Sequence, residues 1–114
     1  MRQTVIILII MLWVTFAMAE TTSVTLEWWP NPEPDIGGYQ VYWGTQTRGY
    51  SEIVDVGNVT EYRVEGLEVD VKYYFAVTAY NTHGYHSDYS KEIFCIPILN
   101  PIKVTSPNGL RAIE

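Results

Sequence analysis

From Lys72 to Tyr80 the chain reads Lys-Tyr-Tyr-Phe-Ala-Val-Thr-Ala-Tyr, a run with a period of two. Tyr73, Phe75, Val77 and Ala79 fall on one side, with Tyr74 and Tyr80 on the other. Side chains alternate across a strand, whereas a helix would scatter this apolar set around its axis, so the run predicts a β-strand with one face in a core. A slip of one residue would expose Phe75 and Val77, so the pairing register of this strand is strongly specified. Whatever the fold, it must supply a sheet for this segment and a second layer to cover it.

The neighbouring segments repeat the pattern at regular spacing. Val24, Leu26 and Trp28 alternate with polar residues, and so do Tyr39, Val41 and Trp43. Ser51–Val56 is a weaker strand, Glu61–Val64 turns Tyr62 and Val64 inward ahead of Gly66 and Leu67, and Tyr89–Ile96 closes the set before Pro97. Between them lie breaks rich in Gly, Pro and Asn, among them Pro30-Asn31-Pro32-Glu33-Pro34, whose alternate prolines remove backbone donors and stiffen a loop. After the first nineteen residues no segment holds helical periodicity over three turns. Nine tyrosines and four tryptophans agree with a strand-rich chain. Six short strands with such punctuation predict an all-β, immunoglobulin-like antiparallel β-sandwich.

The first nineteen residues read differently. Arg2 is the sole charge before Glu20, and Val5–Ala19 is apolar apart from Thr15. Fifteen residues fall short of the about 20 needed to span a bilayer, and the run ends Ala17-Met18-Ala19. Residues 1–19 are therefore expected to be a secretory signal peptide cleaved after Ala19; an uncleaved anchor is the competing reading. The expected location is secreted, periplasmic or at the cell surface, with no membrane association after cleavage. Loss of Arg2 moves the net charge from −6 to −7. An acidic chain lacks the electrostatic footprint for nucleic acid. A single cysteine, Cys95, excludes an internal disulfide and multi-cysteine zinc sites; a buried small hydrophobe is the expected role, an intermolecular link the alternative.

These residues resemble the fibronectin type III family. Val24-Thr25-Leu26-x-Trp28 is similar to its second strand and core tryptophan, and Gly38-Tyr39-x-Val41-Tyr42 to its third. Leu67-x(5)-Tyr73-x-Phe75-x-Val77-x-Ala79-x-Asn81 is similar to its leucine and tyrosine-corner signature, and Ser87-x-x-Ser90 to the start of its last strand. The loops resemble those of exported bacterial members. The resemblance implies a sandwich over residues 20–97 with Trp28, Tyr39, Leu67, Tyr73, Phe75 and Val77 in the core. It also implies a Tyr73 hydroxyl bonded to backbone just upstream. Two departures stand out. Val69-Asp70 occupies a corner where the family usually has proline and glycine. The family's first strand is short or missing, since four residues separate Ala19 from Val24. The edge of the second strand is then open to pairing, with Ile102–Thr105 of the tail, residues 98–114, or with another chain. The tail also resembles the opening of a truncated second repeat.

No catalytic constellation emerges, so the chain is expected not to be an enzyme and to need no cofactor. His83, His86 and Asp88 could be imagined around a metal, and Glu33 with Asp35 around calcium, but turn histidines and loop carboxylates are ordinarily solvated. Asn58-Val59-Thr60 is a formal glycosylation sequon. The integrin-binding tripeptide that some family members carry is absent from Asn81–Ser87. The phasing turns Trp29, Tyr42, Tyr74 and Tyr80 away from the core. Tyr42, Tyr74 and Tyr80 would form an outward aromatic strip, joined by His83, Tyr85 and His86 of the following turn, as a binding surface. Ordinary cross-strand pairing is the alternative for the strip. The expected function is an exported, non-catalytic module for protein interaction or adhesion. The rival readings are a carbohydrate-binding accessory module, whose partner would be an extracellular polysaccharide, and a spacer in a larger exported enzyme.

Overall fold

The computed structural model describes residues 20–99, together with the backbone of Lys103–Thr105 and Arg111–Ile113. The expected signal peptide and its cleavage site lie outside the described residues. Every regular element among the described residues is a strand: β1 (Thr21–Glu27), β2 (Ile36–Gly44), β3 (Glu52–Gly57), β4 (Glu61–Glu68), β5 (Tyr73–Asn81), β6 (Ile93–Cys95), β7 (Lys103–Thr105) and β8 (Arg111–Ile113). They form two antiparallel sheets, ordered β4-β1-β8-β7 and β3-β2-β5-β6.

The core lies between the sheets. Val24, Leu26 and Trp28 descend from one side onto Tyr39, Val41, Phe75, Val77 and Ala79 of the other, with Val64, Leu67, Ile93 and Cys95 filling the cluster. Trp28 and Tyr39 meet with ring centroids 5.6 Å apart. Trp43 and Tyr73 are partly buried and pack against this cluster. Cys95 is buried there, on an inward position of β6.

Local chemistry explains two breaks in the alternation. Val64 and Leu67 both face inward although they stand three positions apart. Thr22 pairs with Leu67 and Val24 with Val64, so β4 spends one residue more than β1 over this stretch. Gly66 takes φ +72°, a conformation glycine adopts without steric cost, and the bulge returns Leu67 to the core face. At the corner before β5, the Glu68 amide donates to the Tyr73 hydroxyl oxygen at 2.9 Å. Asp70 stands there at φ +66°. Aspartate is among the few non-glycine residues that visit this region, so the fold accommodates Val69-Asp70 without the family's usual glycine. The Asp70 amide donates to the Pro97 carbonyl and that of Val69 to the Glu20 carbonyl, each at 2.9 Å.

The last strand is shorter than the expected Tyr89–Ile96. Ser87 donates its amide to the Ala79 carbonyl at 2.8 Å, while the Ala79 amide donates to Ser87 Oγ at 2.9 Å. Ser90 and Val77 repeat the exchange at 2.8 Å and 2.9 Å. Two serine hydroxyls thus stand where a ladder would use carbonyls. The segment follows β5 at three residues to every two, and regular pairing resumes only at Ile93.

No described strand precedes β1, and its edge is partly filled from the tail. The Trp28 amide donates to the Thr60 carbonyl beyond the end of β4. By the alternation of an antiparallel ladder, Leu26 and Val24 bond towards β4, and Thr25 and Glu27 bond the other way. There β8 pairs with Thr25, Leu26 and Glu27, and β7 pairs with β8 outside it. The sequence points to Ile102–Thr105 as the covering strand. The hairpin instead brings its second arm, Arg111–Ile113, against β1 and holds Lys103–Thr105 one place further out.

Candidate interaction surface

The outward aromatic strip expected from the sequence is not one open platform. On the outer face of β3-β2-β5-β6, Tyr42 is only 8% exposed. Tyr50, from the β2–β3 connection, and Tyr89, from the stretch before β6, close over it. Tyr42 and Tyr89 meet edge to face at 4.9 Å, Tyr50 and Tyr89 at 5.4 Å, and Tyr42 and Tyr50 at 5.9 Å. The Tyr42 hydroxyl donates to Gln40 Oε1 at 2.8 Å and lies 3.1 Å from Thr78 Oγ1. Tyr42 is therefore part of a second, smaller core on the outside of the sheet, a correction to its place in an exposed binding strip. Ala76 and Thr78 are buried with it.

Glu92 fastens this outer layer. Its carboxylate accepts from Thr47 Oγ1 at 2.6 Å, the Arg48 amide at 2.8 Å and the Tyr50 hydroxyl at 2.5 Å. Burial alone would raise the Glu92 pKa, but the Thr47 and Tyr50 hydroxyls and the Arg48 amide outweigh it and hold the carboxyl below its usual value. Tyr50 is pushed well above its ordinary value, by burial first and by the hydrogen bond to Glu92 second. Neither Tyr50, Tyr89 nor Glu92 carries a local signal in the sequence, because the bond joining Glu92 to Tyr50 spans 42 residues of chain.

The other two members of the strip have different surroundings. Tyr74 packs beside its cross-strand neighbour Phe94 at 6.4 Å. The Lys72 ammonium lies 4.2 Å above the Phe94 ring and 5.2 Å above Tyr74. Tyr80 lies across Gly37 and Gly38, where a β-carbon at Gly38 would collide with the Tyr80 hydroxyl. The sequence Gly37-Gly38 is thus what lets the ring lie flat. Its hydroxyl donates to Asp55 at 2.8 Å, and the His86 ring packs against it at 5.6 Å. The Gly57 amide first, and then the Tyr80 hydroxyl, lower the Asp55 pKa.

The turn after β5 is organised by Asn81, whose side-chain oxygen accepts from the His83 and Tyr85 amides at 2.9 and 3.0 Å. Gly84 takes φ +84°. Tyr85 projects into solvent and His83 is exposed. His86 belongs with Tyr80 rather than with His83, and no three His, Cys, Asp or Glu side chains among the described residues come close enough to hold a metal ion.

The outer face also exposes two large apolar side chains. Ile53 on β3 is 58% exposed and Phe94 on β6 is 55% exposed. Ile53 stands opposite Tyr42 and Phe94 opposite Tyr74 in the ladders, so both point outward on the same side, with the half-exposed Tyr89 ring between them against Tyr42. The sequence reading missed Ile53 and Phe94. Phase alone could have placed them: each is out of step with the inward residues of its own strand.

Two stacked antiparallel sheets, a core tryptophan just after β1 and a tyrosine corner before β5 define an immunoglobulin-like sandwich. Residues 12–96 match the fibronectin type III domain, and the chain belongs to that family. It is also similar to a Kelch domain-containing protein of Saccharolobus solfataricus, 39% identical over 102 residues. That match covers 89% of this chain and 13% of the relative, so the chain spans a small part of the curated relative it matches.

Proposed function

We propose that this chain is an exported, non-catalytic sandwich module that makes protein contacts through the outer face of β3-β2-β5-β6. The observation that carries this reading is the pair of outward apolar residues Ile53 and Phe94 flanking the Tyr42–Tyr50–Tyr89 cluster. The cluster beneath is already packed and hydrogen-bonded, so the face is a firm support with an apolar rim. Firm apolar surfaces of this kind suit protein partners, where aromatic side chains contribute contact area at small conformational cost. The apolar run ending Ala17-Met18-Ala19 supports export. The 13% share of the Kelch domain-containing relative supports a modular role, one domain of this size working beside others. The relative's Kelch domain is a property of that protein and is not carried over.

The test uses the exported protein as bait against its own host's envelope fraction, beside the double variant Ile53→Ser, Phe94→Ser. A partner identified by mass spectrometry with the wild type and lost with the double variant supports the reading. Equal capture by both overturns it. Mass spectrometry of the mature protein should find a new N-terminus at Glu20; Met1 retained in the membrane fraction would replace export by anchoring.

A further inference from the structure

At one pole of the sandwich, the connection after β1 faces the stretch that follows the β5 turn. They enclose an open hollow of about 400 Å³ lined by Trp28, Trp29, Asn31, Tyr39, Ser87 and Asp88, among others. A smaller hollow of about 190 Å³ shares Asn31, Ala79 and Ser87 with it and adds Glu33, Asp35, Tyr85 and His86. The two adjoin as one groove of a size typical for small-molecule sites.

Two observations point to a ligand rather than a passive cleft. First, the floor holds donors without acceptors. Trp28 is 8% exposed, and its Nε1 is buried with no hydrogen-bond partner. The Tyr39 hydroxyl accepts from the Asn31 amide at 2.9 Å, which leaves its own proton without an acceptor among the described residues. Buried donors of this kind are normally satisfied. Second, the rim carries unengaged recognition groups. Trp29 is 73% exposed, although its neighbour is core, and stands at the mouth. The Asn31 amide group and the Asp88 carboxylate make no side-chain hydrogen bond among the described residues. By contrast the Ser87 and Ser90 hydroxyls are spent on Ala79 and Val77. No lysine or arginine lines either hollow.

We propose that this groove binds a neutral saccharide, one ring of which stacks on Trp29. A pyranose offers an apolar C–H face for an indole, hydroxyl donors for Asp88 and the Asn31 carbonyl, and ring or hydroxyl oxygens for the unpartnered donors of the floor. The oxygen reaches Trp28 Nε1 directly or through one ordered water. Glu33, Asp35 and Asp88 repel uronic or sulfated sugars, which fixes the class as uncharged. The site lies away from Ile53 and Phe94, so it goes beyond the protein-contact reading and stands or falls separately from it.

The test titrates the purified protein with cellotetraose, xylotetraose and tetra-N-acetylchitotetraose, following tryptophan fluorescence and the indole N–H resonances. One of the three should bind with a dissociation constant below about 1 mM and shift the Trp28 and Trp29 N–H signals. Trp29→Ala and Asp88→Asn, both at exposed positions, should each weaken binding about tenfold or more. Phe94→Ser should bind as the wild type does, which keeps a failure here distinct from a failure of the sheet-face reading. Binding of none of the three at about 10 mM, well above the range of a working site, overturns the proposal. So does binding indifferent to Trp29→Ala and Asp88→Asn, or abolished by Phe94→Ser. If tetralysine binds instead and needs Asp88, the groove takes a cationic peptide and the saccharide assignment fails.

Discussion

The two sheets solve the same problem unequally. In β4-β1-β8-β7, β1 and β4 bury one face and leave the other to water: Val24, Leu26, Val64 and Leu67 point in, while Arg63 and Glu65 point out. Its edge is completed by a three-residue tail strand. In β3-β2-β5-β6, β2 and β5 pair along eight positions from Ile36–Asn81 to Gly44–Tyr74, and the middle of β5 is buried on both faces, five residues running from Phe75 to Ala79. The second sheet is a slab with a core on each side. Long, doubly covered strands resist fraying, and a rigid slab can present Ile53 and Phe94 to a partner, or hold the pole groove, without itself rearranging.

The shared inner core should dominate stability on either side of this contrast. Phe75→Ala on β5 and Trp28→Ala just after β1 should each cost about 3–5 kcal/mol, out of about 5–15 for the domain. Urea unfolding followed by fluorescence measures this for Phe75→Ala, and by circular dichroism for Trp28→Ala. A loss below about 1 kcal/mol for either would mean that sheet does not contribute to a common core.

The outer core is the sharper test. Tyr42→Ala removes a buried ring and its contacts with Tyr50, Tyr89 and Thr78, and should cost about 3 kcal/mol. Tyr74→Ala, on the same face but flanked only by Phe94 and Lys72, should cost about 1 kcal/mol or less. Equal effects in denaturant titration would erase the distinction between covered and open parts of the slab.

That same distinction governs what the sequence can disclose. Alternation reports burial where one face is wet, which is why Val24, Leu26 and Val64 were legible, as were the inward residues of β2 and β5. It cannot distinguish an outward tyrosine in water from one under a lid. Tyr42 needed Tyr50 and Tyr89, contributed by irregular segments whose approach is set by Glu92 and by two serine bonds rather than by any period. The pole groove was equally silent: Trp29 reads as outward, but its juxtaposition with Asp88 depends on how two loops lean together. The tail shows a third limit, since the alternation of Ile102–Thr105 marks a strand without saying whether that strand or its partner Arg111–Ile113 meets β1.

The thinner sheet should respond to its borrowed edge. Deleting Pro101–Glu114 removes the partner of Thr25 and Glu27, and with it ladder bonds worth about 1–2 kcal/mol in total. The melting temperature should fall by several degrees, the Thr25 and Glu27 amides should exchange faster, and the bared edge should promote self-association. The amides of β2 and β5 should keep their protection. A truncated protein that stays equally stable and monomeric, with unchanged exchange at Thr25 and Glu27, would remove β8 from the sheet in solution.

The smallest effect probes how the outer core is latched, and it carries a pH signature. Glu92 is held below its usual pKa of 4.5 in the folded protein, so its contribution is fully present above about pH 5 and is lost as pH falls through the folded value. Tyr50 is raised, so the protonated phenol favours the fold; its contribution is present up to the ordinary tyrosine pKa of about 10 and is lost as pH rises beyond it. Stability should therefore sit on a plateau between these limits and fall on both sides. Because Glu92 is only partly buried, screening by solvent keeps its share to about 1 kcal/mol. Glu92→Gln should lower the melting temperature by a few degrees at pH 7 and converge with wild type as pH falls through the folded Glu92 value, below which both side chains are neutral. In Tyr50→Phe the alkaline limb should shrink to the part that the Tyr80 hydroxyl, bonded to Asp55, still contributes, while the acid limb survives in reduced form, since Thr47 and the Arg48 amide still bind the carboxylate. A gap between Glu92→Gln and wild type that stays unchanged however far the pH falls below the ordinary carboxylate range would show that Glu92 acts through its shape alone, and the covered half of the slab would then owe its lid to the packing of Tyr42, Tyr50 and Tyr89.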